Sequence, residues 1–399
     1  MKKIFKKTVW IAICSMAICL LTSCGKEKPQ EKKVKDDHIE YETTKENGTT
    51  YEDEEAQTAE IQEGDIQNSK NKNDTDMAEE PFDWNALPIA KESDFEWKDL
   101  GSSRISITRY LGSEEAFKVP STIAGNTVVK ISNHAFEEKI NLKCVDFSDV
   151  HLEEIEESAF WLCHNLKKVA LPDMPSDSIY INPFAQCTSL SEITFGEGSG
   201  LEIENGIIYS DTSLLFRIPA FADKNVVIRE GTTELKHLAF GGNNIESVVM
   251  PDSVVSVDRL IFEECHDLKS VTLSANLKNI SDDMFRGCRS LKEITIPEGV
   301  ERIIGGAFLG CWSLESVNLP STLTEIGSHC FGSCKSLTNI TIPKNVSRIG
   351  EKAFSNCNAL TDIYYGSSEQ DWNAAVETDV FVTNESDAGV IDVTVHYNQ

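Results

Sequence analysis

Cysteines are the side chains in this sequence with the most obvious chemical potential. Cys163, Cys187, Cys265, Cys288, Cys311, Cys334 and Cys357 recur at matched places. Such a series could form a disulfide ladder or supply metal ligands. Zinc sites favour closely paired ligands such as C-x2-C, and the only close pair in the repeating region is Cys330 and Cys334. Thiols on stacked strands, about 4.8 Å apart, meet the distance for a disulfide, but parallel side chains in one column make its torsion awkward. A buried free thiol acts as a small hydrophobe, so reduced core cysteines are the expectation.

The other reactive types form no constellation. His164 and His266 each follow a column cysteine, but the same slot elsewhere holds Thr188, Arg289, Trp312, Lys335 and Asn358. A slot that accepts all these types is a surface slot. No G-x-S-x-G elbow and no H-E-x-x-H motif occurs. Gly196-Glu197-Gly198-Ser199-Gly200 lacks the spacing of a dinucleotide loop and reads as a connection. Asp282-Asp283 and Glu153-Glu154 read as solvated turns, since the calcium-binding nonapeptide of β-rolls is absent. The expectation is a chain that is not an enzyme, with no catalytic residue, metal, cofactor or small-molecule substrate.

A repeat positions the cysteines. Phe262, Phe285, Phe308, Phe331 and Phe354 lie 23 residues apart, preceded by Phe136, Phe160 and Phe184 at spacings of 24. A cysteine follows most of them by three residues, and a leucine follows three residues later, as in Leu291, Leu314 and Leu337. Next come pairs of apolar residues flanking one other residue: Ile294-Thr295-Ile296, Val317-Asn318-Leu319, Ile340-Thr341-Ile342. Pro297, Pro320 and Pro343 close these runs. That is a short strand with period-two alternation, stopped by a residue that cannot continue a ladder. One such unit cannot bury its apolar side chains alone, whereas stacked units line them up in columns. The pattern predicts a β-rich solenoid of about nine coils of 22–24 residues, with short parallel strands joined by short turns.

Composition frames this reading. The chain has 399 residues, with 65 acidic against 37 basic side chains and a net charge of −28. That balance argues against a nucleic-acid partner, because phosphate binding needs clustered Lys and Arg. Hydrophobic residues make up 40%, enough for a sizeable core. Residues 1–23 read as a signal peptide: Lys2, Lys3, Lys6 and Lys7 precede an apolar stretch from Val9 to Leu21. That stretch is short for a bilayer span of about 20 residues. It ends in Leu21-Thr22-Ser23-Cys24, which resembles the bacterial lipobox, where the cysteine is acylated and becomes the first residue. Acyl chains on Cys24 would anchor the chain to a membrane and place the rest outside the cytoplasm. Residues 24–80 hold 18 acidic residues against 8 lysines, and no Phe, Trp or Leu. Such a segment buries too little apolar surface to offset its ordering entropy and reads as a disordered, self-repelling tether.

The repeat resembles the leucine-rich repeats of the BspA and Treponema pallidum type, found in bacterial surface proteins. Their unit runs Leu-x-x-Ile-x-Ile-Pro, then Val-x-x-Ile-Gly, then Ala-Phe-x-x-Cys. Leu337, Ile340, Ile342, Pro343, Val346, Ile349, Gly350, Ala353, Phe354 and Cys357 match it in order. The resemblance implies a right-handed solenoid over about 101–399. It also implies a capping segment at 81–130, repeats over 131–365 and a C-terminal cap at 366–399. Asn205-Gly206-Ile207 to Ile218-Pro219 breaks the period and reads as an irregular, hairpin-bearing repeat near 196–231.

The residues between the apolar ones must face outward. Those singled out as a binding ladder are Glu293, Thr295, Ser316, Asn318, Asn339 and Thr341. Solenoids commonly bind partners along such extended surfaces. Trp312, on the turn, is a further possible contact. The family resemblance implies adhesion, with an extracellular protein or glycan as ligand and a membrane held through the lipid on Cys24. The alternative is an envelope spacer or scaffold without a specific soluble ligand.

Overall fold

The computed structural model describes residues 83–179, 181–382 and 392–398. The expectations for residues 1–80, Cys24 among them, lie outside the described residues.

Each regular Ile-x-Ile run forms a three- or four-residue strand with one face buried. In Glu293–Thr295 only Ile294 is buried, and in Ser316–Asn318 only Val317. Such strands stack in parallel as a first column, running from Ala116–Lys118 through Cys144–Asp146 to the closing strand Thr394–Tyr397. The Val-x-x-Ile half of each unit forms two-residue strands in a second column, such as Arg302–Ile303, Glu325–Ile326 and Arg348–Ile349. The fold is a β-solenoid of about eleven turns with little helix. The strict motif counts nine, because some coils turn without keeping it. Ile155 with Ile179 and Ile349 with Val376, for instance, hold the second column by single bridges.

Between the columns the buried residues form two apolar clusters, each with a run of stacked rings. Successive pairs from Phe262 to Phe354 are 5.3, 5.3, 5.4 and 5.5 Å apart and within 13° of parallel. This spacing is set by the backbone, since each of these residues donates its N–H to the next coil, as Phe308 does to Cys330 O at 2.8 Å. Two corners per coil require left-handed backbone, one before the Ala-Phe pair and one before the cysteine. Gly306 (φ 65°) and Gly310 (φ 75°) fill them in one coil. Lys352 and Asn356 fill them in another, at a cost of about 1 kcal/mol each.

The period breaks at 201–218. Glu202–Glu204, Ile207–Ser210 and Ser213–Arg217 form an antiparallel hairpin with an added strand, and the last of these joins the second column beside Glu234–Leu235. Arg217, fully buried, pins the bend that follows. Its guanidinium donates to Asn243 Oδ1 at 2.8 Å and Phe221 O at 3.0 Å, and also to the carbonyl of Asp223. Burial pulls its pKa down to about 10, which leaves it charged at neutral pH. The hairpin Phe95–Gly101 with Arg104–Tyr110 follows two short 3-10 turns at Trp84–Ala86 and Glu92–Asp94. A helix at Glu369–Ala375, opened by a capping box of Ser368 and Asp371, packs Trp372 near its end.

Candidate binding faces of the solenoid

The cysteines belong to the core. All nine described cysteines are buried and free of disulfides. Each thiol of the series donates to a phenylalanine carbonyl one coil back: Cys311 to Phe285 O at 3.1 Å, Cys357 to Phe331 O at 2.9 Å. Burial raises the Cys265 pKa to about 12, so the proton stays available for this bond. A cysteine suits the slot because it is apolar in bulk yet satisfies a carbonyl facing the interior.

The six ladder residues Glu293, Thr295, Ser316, Asn318, Asn339 and Thr341 are all exposed. Glu293 faces Ser316 and Thr295 faces Asn318 in register, with Asn318 Nδ2 donating to Thr295 Oγ1 at 3.1 Å. Asn339 and Thr341 stand on a strand in a separate sheet, because the hydrogen-bonded ladder is interrupted after Asn318, as it is after Thr272. A shallow groove of about 330 Å³ spans the first of these interruptions, lined by Ser316, Asn318, Asn339 and Thr341 among others.

The chemistry of this face is unusual for so acidic a chain. From Asn225 to Thr341 the outward residues are Asn225, Val227, Ser247, Val249, Ser270 and Thr272, then the six above. Glu293 is the only ionisable side chain among them, although charged residues make up 26% of the sequence. Val227 and Val249 are neighbours in register and remain 68% and 41% exposed. Earlier coils of the same column differ. Lys118 pairs with Asp146 at 3.1 Å and Lys168 pairs with Glu192, while Ala170, which strand alternation places on the outward side, is buried.

The second column presents the opposite surface. Arg302, Glu325, Arg348 and Glu377 alternate in sign along successive coils. Arg302 Nε lies 2.6 Å from Glu325, Arg348 bonds Glu325 on its other side, and Arg348 Nε lies 3.0 Å from Glu377. Burial raises the Glu325 pKa, but Arg302 and Arg348 more than offset it and hold it below the usual carboxylate range.

A family model for BspA type leucine rich repeat region matches residues 113–221 and 233–361 in six copies. The chain belongs to the BspA-type leucine-rich repeat family. No curated protein matches this BspA-type chain. Among solved structures, it is similar to a leucine rich cell surface protein of Faecalibacterium prausnitzii, at 22% identity over 72% of this chain and 97% of that one, with a TM-score of 0.39. A leucine-rich repeat protein of Bacteroides ovatus is similar at 20% identity over 69% and 70%, TM-score 0.43. The pneumococcal vaccine antigen PcpA is similar at 16% identity over 76% and 85%, TM-score 0.44.

The turn edge beside the ladder holds what the alternation rule did not single out. Trp312 is 40% exposed, but it offers no free ring face. Arg289 from the preceding coil sits 4.3 Å from the ring centre, and Lys335 from the following coil sits 4.8 Å from it. A groove of about 520 Å³ on the BspA-type coils is lined by Lys269, Ser290, Lys292, Glu293, Ser313, Glu315 and Ser316. The signal was in the sequence, at the second and fourth positions after each column cysteine, where Ser290 and Ser313, and Lys269 and Lys292, recur.

Proposed function

We propose that this chain is a lipid-anchored bacterial surface protein that binds an extracellular protein or glycan through the outward residues of its first strand column. The observation that carries the reading is the near-absence of charge among the outward strand residues between Asn225 and Thr341, on a chain with a net charge of −28. Charge depletion marks the centres of protein–protein contact surfaces, and the flat ladder of Asn, Ser, Thr and Val places hydrogen-bonding and apolar groups at regular intervals. Membership of the BspA-type family supports a binding role, and adhesion to host or neighbouring cells is the form we assign to it. The Leu21–Cys24 motif supports acylation at Cys24, which would carry the solenoid on a membrane.

The test is an array of matrix proteins, bacterial surface proteins and glycans probed with the full chain at physiological salt. A saturable ligand should lose affinity when Thr295→Lys, Asn318→Lys or Thr341→Lys places a charge on the ladder. Unchanged binding would move the site off this face. A blank array together with concentration-dependent self-association in light scattering would favour the scaffold reading. Mass spectrometry of the membrane-extracted protein should find diacylglycerol on Cys24, and an unmodified thiol there would remove the anchor.

A further inference from the structure

We infer that the chain forms a two-fold dimer with a second copy of itself, by antiparallel pairing of the outer edges of the two Phe95–Gly101 strands. The inference does not use the ladder reading, and the surface it names belongs to the N-terminal hairpin.

The Phe95–Gly101 strand is the last in its sheet. It pairs with Arg104–Tyr110 on one side and with no other described strand on the other. After Phe95 every residue in it is exposed, so its outer row of backbone N–H and C=O groups faces water. Such an edge takes up another strand unless something blocks it. Most of the usual blocks are missing here. The strand is seven residues long and contains no proline. The irregularity beside Trp97 comes from the extra residue Thr108 in the neighbouring strand, so this strand itself runs unbroken from Phe95 to Asp99.

The side chains select the second copy as the occupant. Trp97 is 39% exposed, and its ring meets no other ring or cation among the described residues. It stands in register with buried Ile107, which stands in register with buried Ile131. Trp97 therefore ends an apolar row. Glu96 and Lys98 point to the opposite face and form no ion pair among the described residues. Two identical antiparallel strands pair about a residue, because adjacent residues turn their hydrogen-bonding groups to opposite edges. Centring on Glu96, Lys98 or Asp99 would set like charges face to face at the axis, which destabilises. Centring on Trp97 sets it against Trp97 of the second copy, and on either side sets Glu96 of one chain against Lys98 of the other. The apolar row then runs across the axis, flanked by two ion pairs. A contact of this length is smaller than a standard interface, so the dimer is weak, and its symmetry closes it at two chains.

Analytical ultracentrifugation of the full chain, up to about 0.5 mM at physiological salt, should show a mass that rises with concentration toward twice the monomer. Trp97→Lys should weaken dimerisation by at least about tenfold. So should Glu96→Lys, which then faces Lys98 on both sides of the axis. Adding Lys98→Glu to Glu96→Lys exchanges the two charges and should restore the dimer to within about threefold of wild type. These side chains are exposed, and circular dichroism checks that the fold is kept. Thr341→Lys should leave dimerisation unchanged, and Trp97→Lys should leave binding to an array ligand unchanged, so this pairing and the ladder reading fail separately. A chain that stays monomeric at the highest concentration overturns the inference. So does association that survives Trp97→Lys or that Thr341→Lys removes. If the double exchange fails to restore what Glu96→Lys removes, the Trp97-centred register is wrong, and the choice of partner falls with it.

Discussion

In the later coils the two strand columns share one period and one backbone pattern, yet their outer faces are built on opposite principles. On the second column Arg302, Glu325, Arg348 and Glu377 tie successive coils together by charge. On the first column, from Asn225 to Thr341, neighbouring coils meet through Asn, Ser, Thr and Val, with one short hydrogen bond from Ser247 to Asn225 and another from Asn318 to Thr295. A solenoid needs neither arrangement for its fold, because the buried Phe, Cys, Leu and Ile columns already hold the coils in register. The difference teaches that the outward positions are free to be specialised. One face ties its coils together by charge, and the other carries only a few hydrogen bonds between coils.

The comparison can be tested at four depths. Arg217 lies in the irregular segment, and Arg217→Met would leave the carbonyls of Phe221 and Asp223 and the buried Asn243 amide oxygen without their donor. It should cost about 2–4 kcal/mol, read as a lower denaturation midpoint. A loss below 0.5 kcal/mol, roughly the scatter of surface changes, would mean the bend holds without its pin. Next is the shared core. Cys311→Ala removes the thiol donor to Phe285 and leaves a small void, and it should cost about 1–2 kcal/mol. Cys311→Ser keeps a donor but buries a more polar group, so its cost compared with alanine reports how much the hydrogen bond matters.

On the charged face, Glu325→Gln should cost about 1 kcal/mol, with binding to any ladder ligand unaltered. The folded Glu325 pKa lies below its ordinary value, so this contribution is complete above the unfolded carboxylate pKa, about 4.3. It is lost as pH falls through the lower folded value. The stability difference between wild type and variant should therefore shrink on acidification below that point, and a difference that persists at the lowest pH would show that packing rather than charge is involved. The smallest stability effect belongs to the neutral face. Thr341→Lys should shift stability by less than about 0.5 kcal/mol while abolishing or strongly weakening ligand binding. Should Thr341→Lys destabilise as much as Glu325→Gln, the two faces would not be the different surfaces described here.

Much of this is legible in the sequence. The Phe column, the strand at each Ile-x-Ile run and the exposure of Glu293, Thr295, Ser316, Asn318, Asn339 and Thr341 follow from a period of 23 and the alternation of a strand. Ala170 escaped that rule because parity assigns a direction, not the amount of neighbouring chain that covers the residue. Trp312 was legible as exposed but not as sandwiched, since whether a ring face is open depends on two side chains from other coils.

By itself the sequence determined the solenoid, its repeat and the residues that point out of it. Those features are local and repeated, so each coil states them again. Tertiary structure alone decided where the hydrogen-bonded ladder is interrupted and which side chains converge on the Trp312 edge. It also decided that each column thiol finds the phenylalanine carbonyl of the coil behind it, and that Arg217 closes the irregular bend. These depend on small offsets between stacked coils, which a spacing of residues along one chain does not specify.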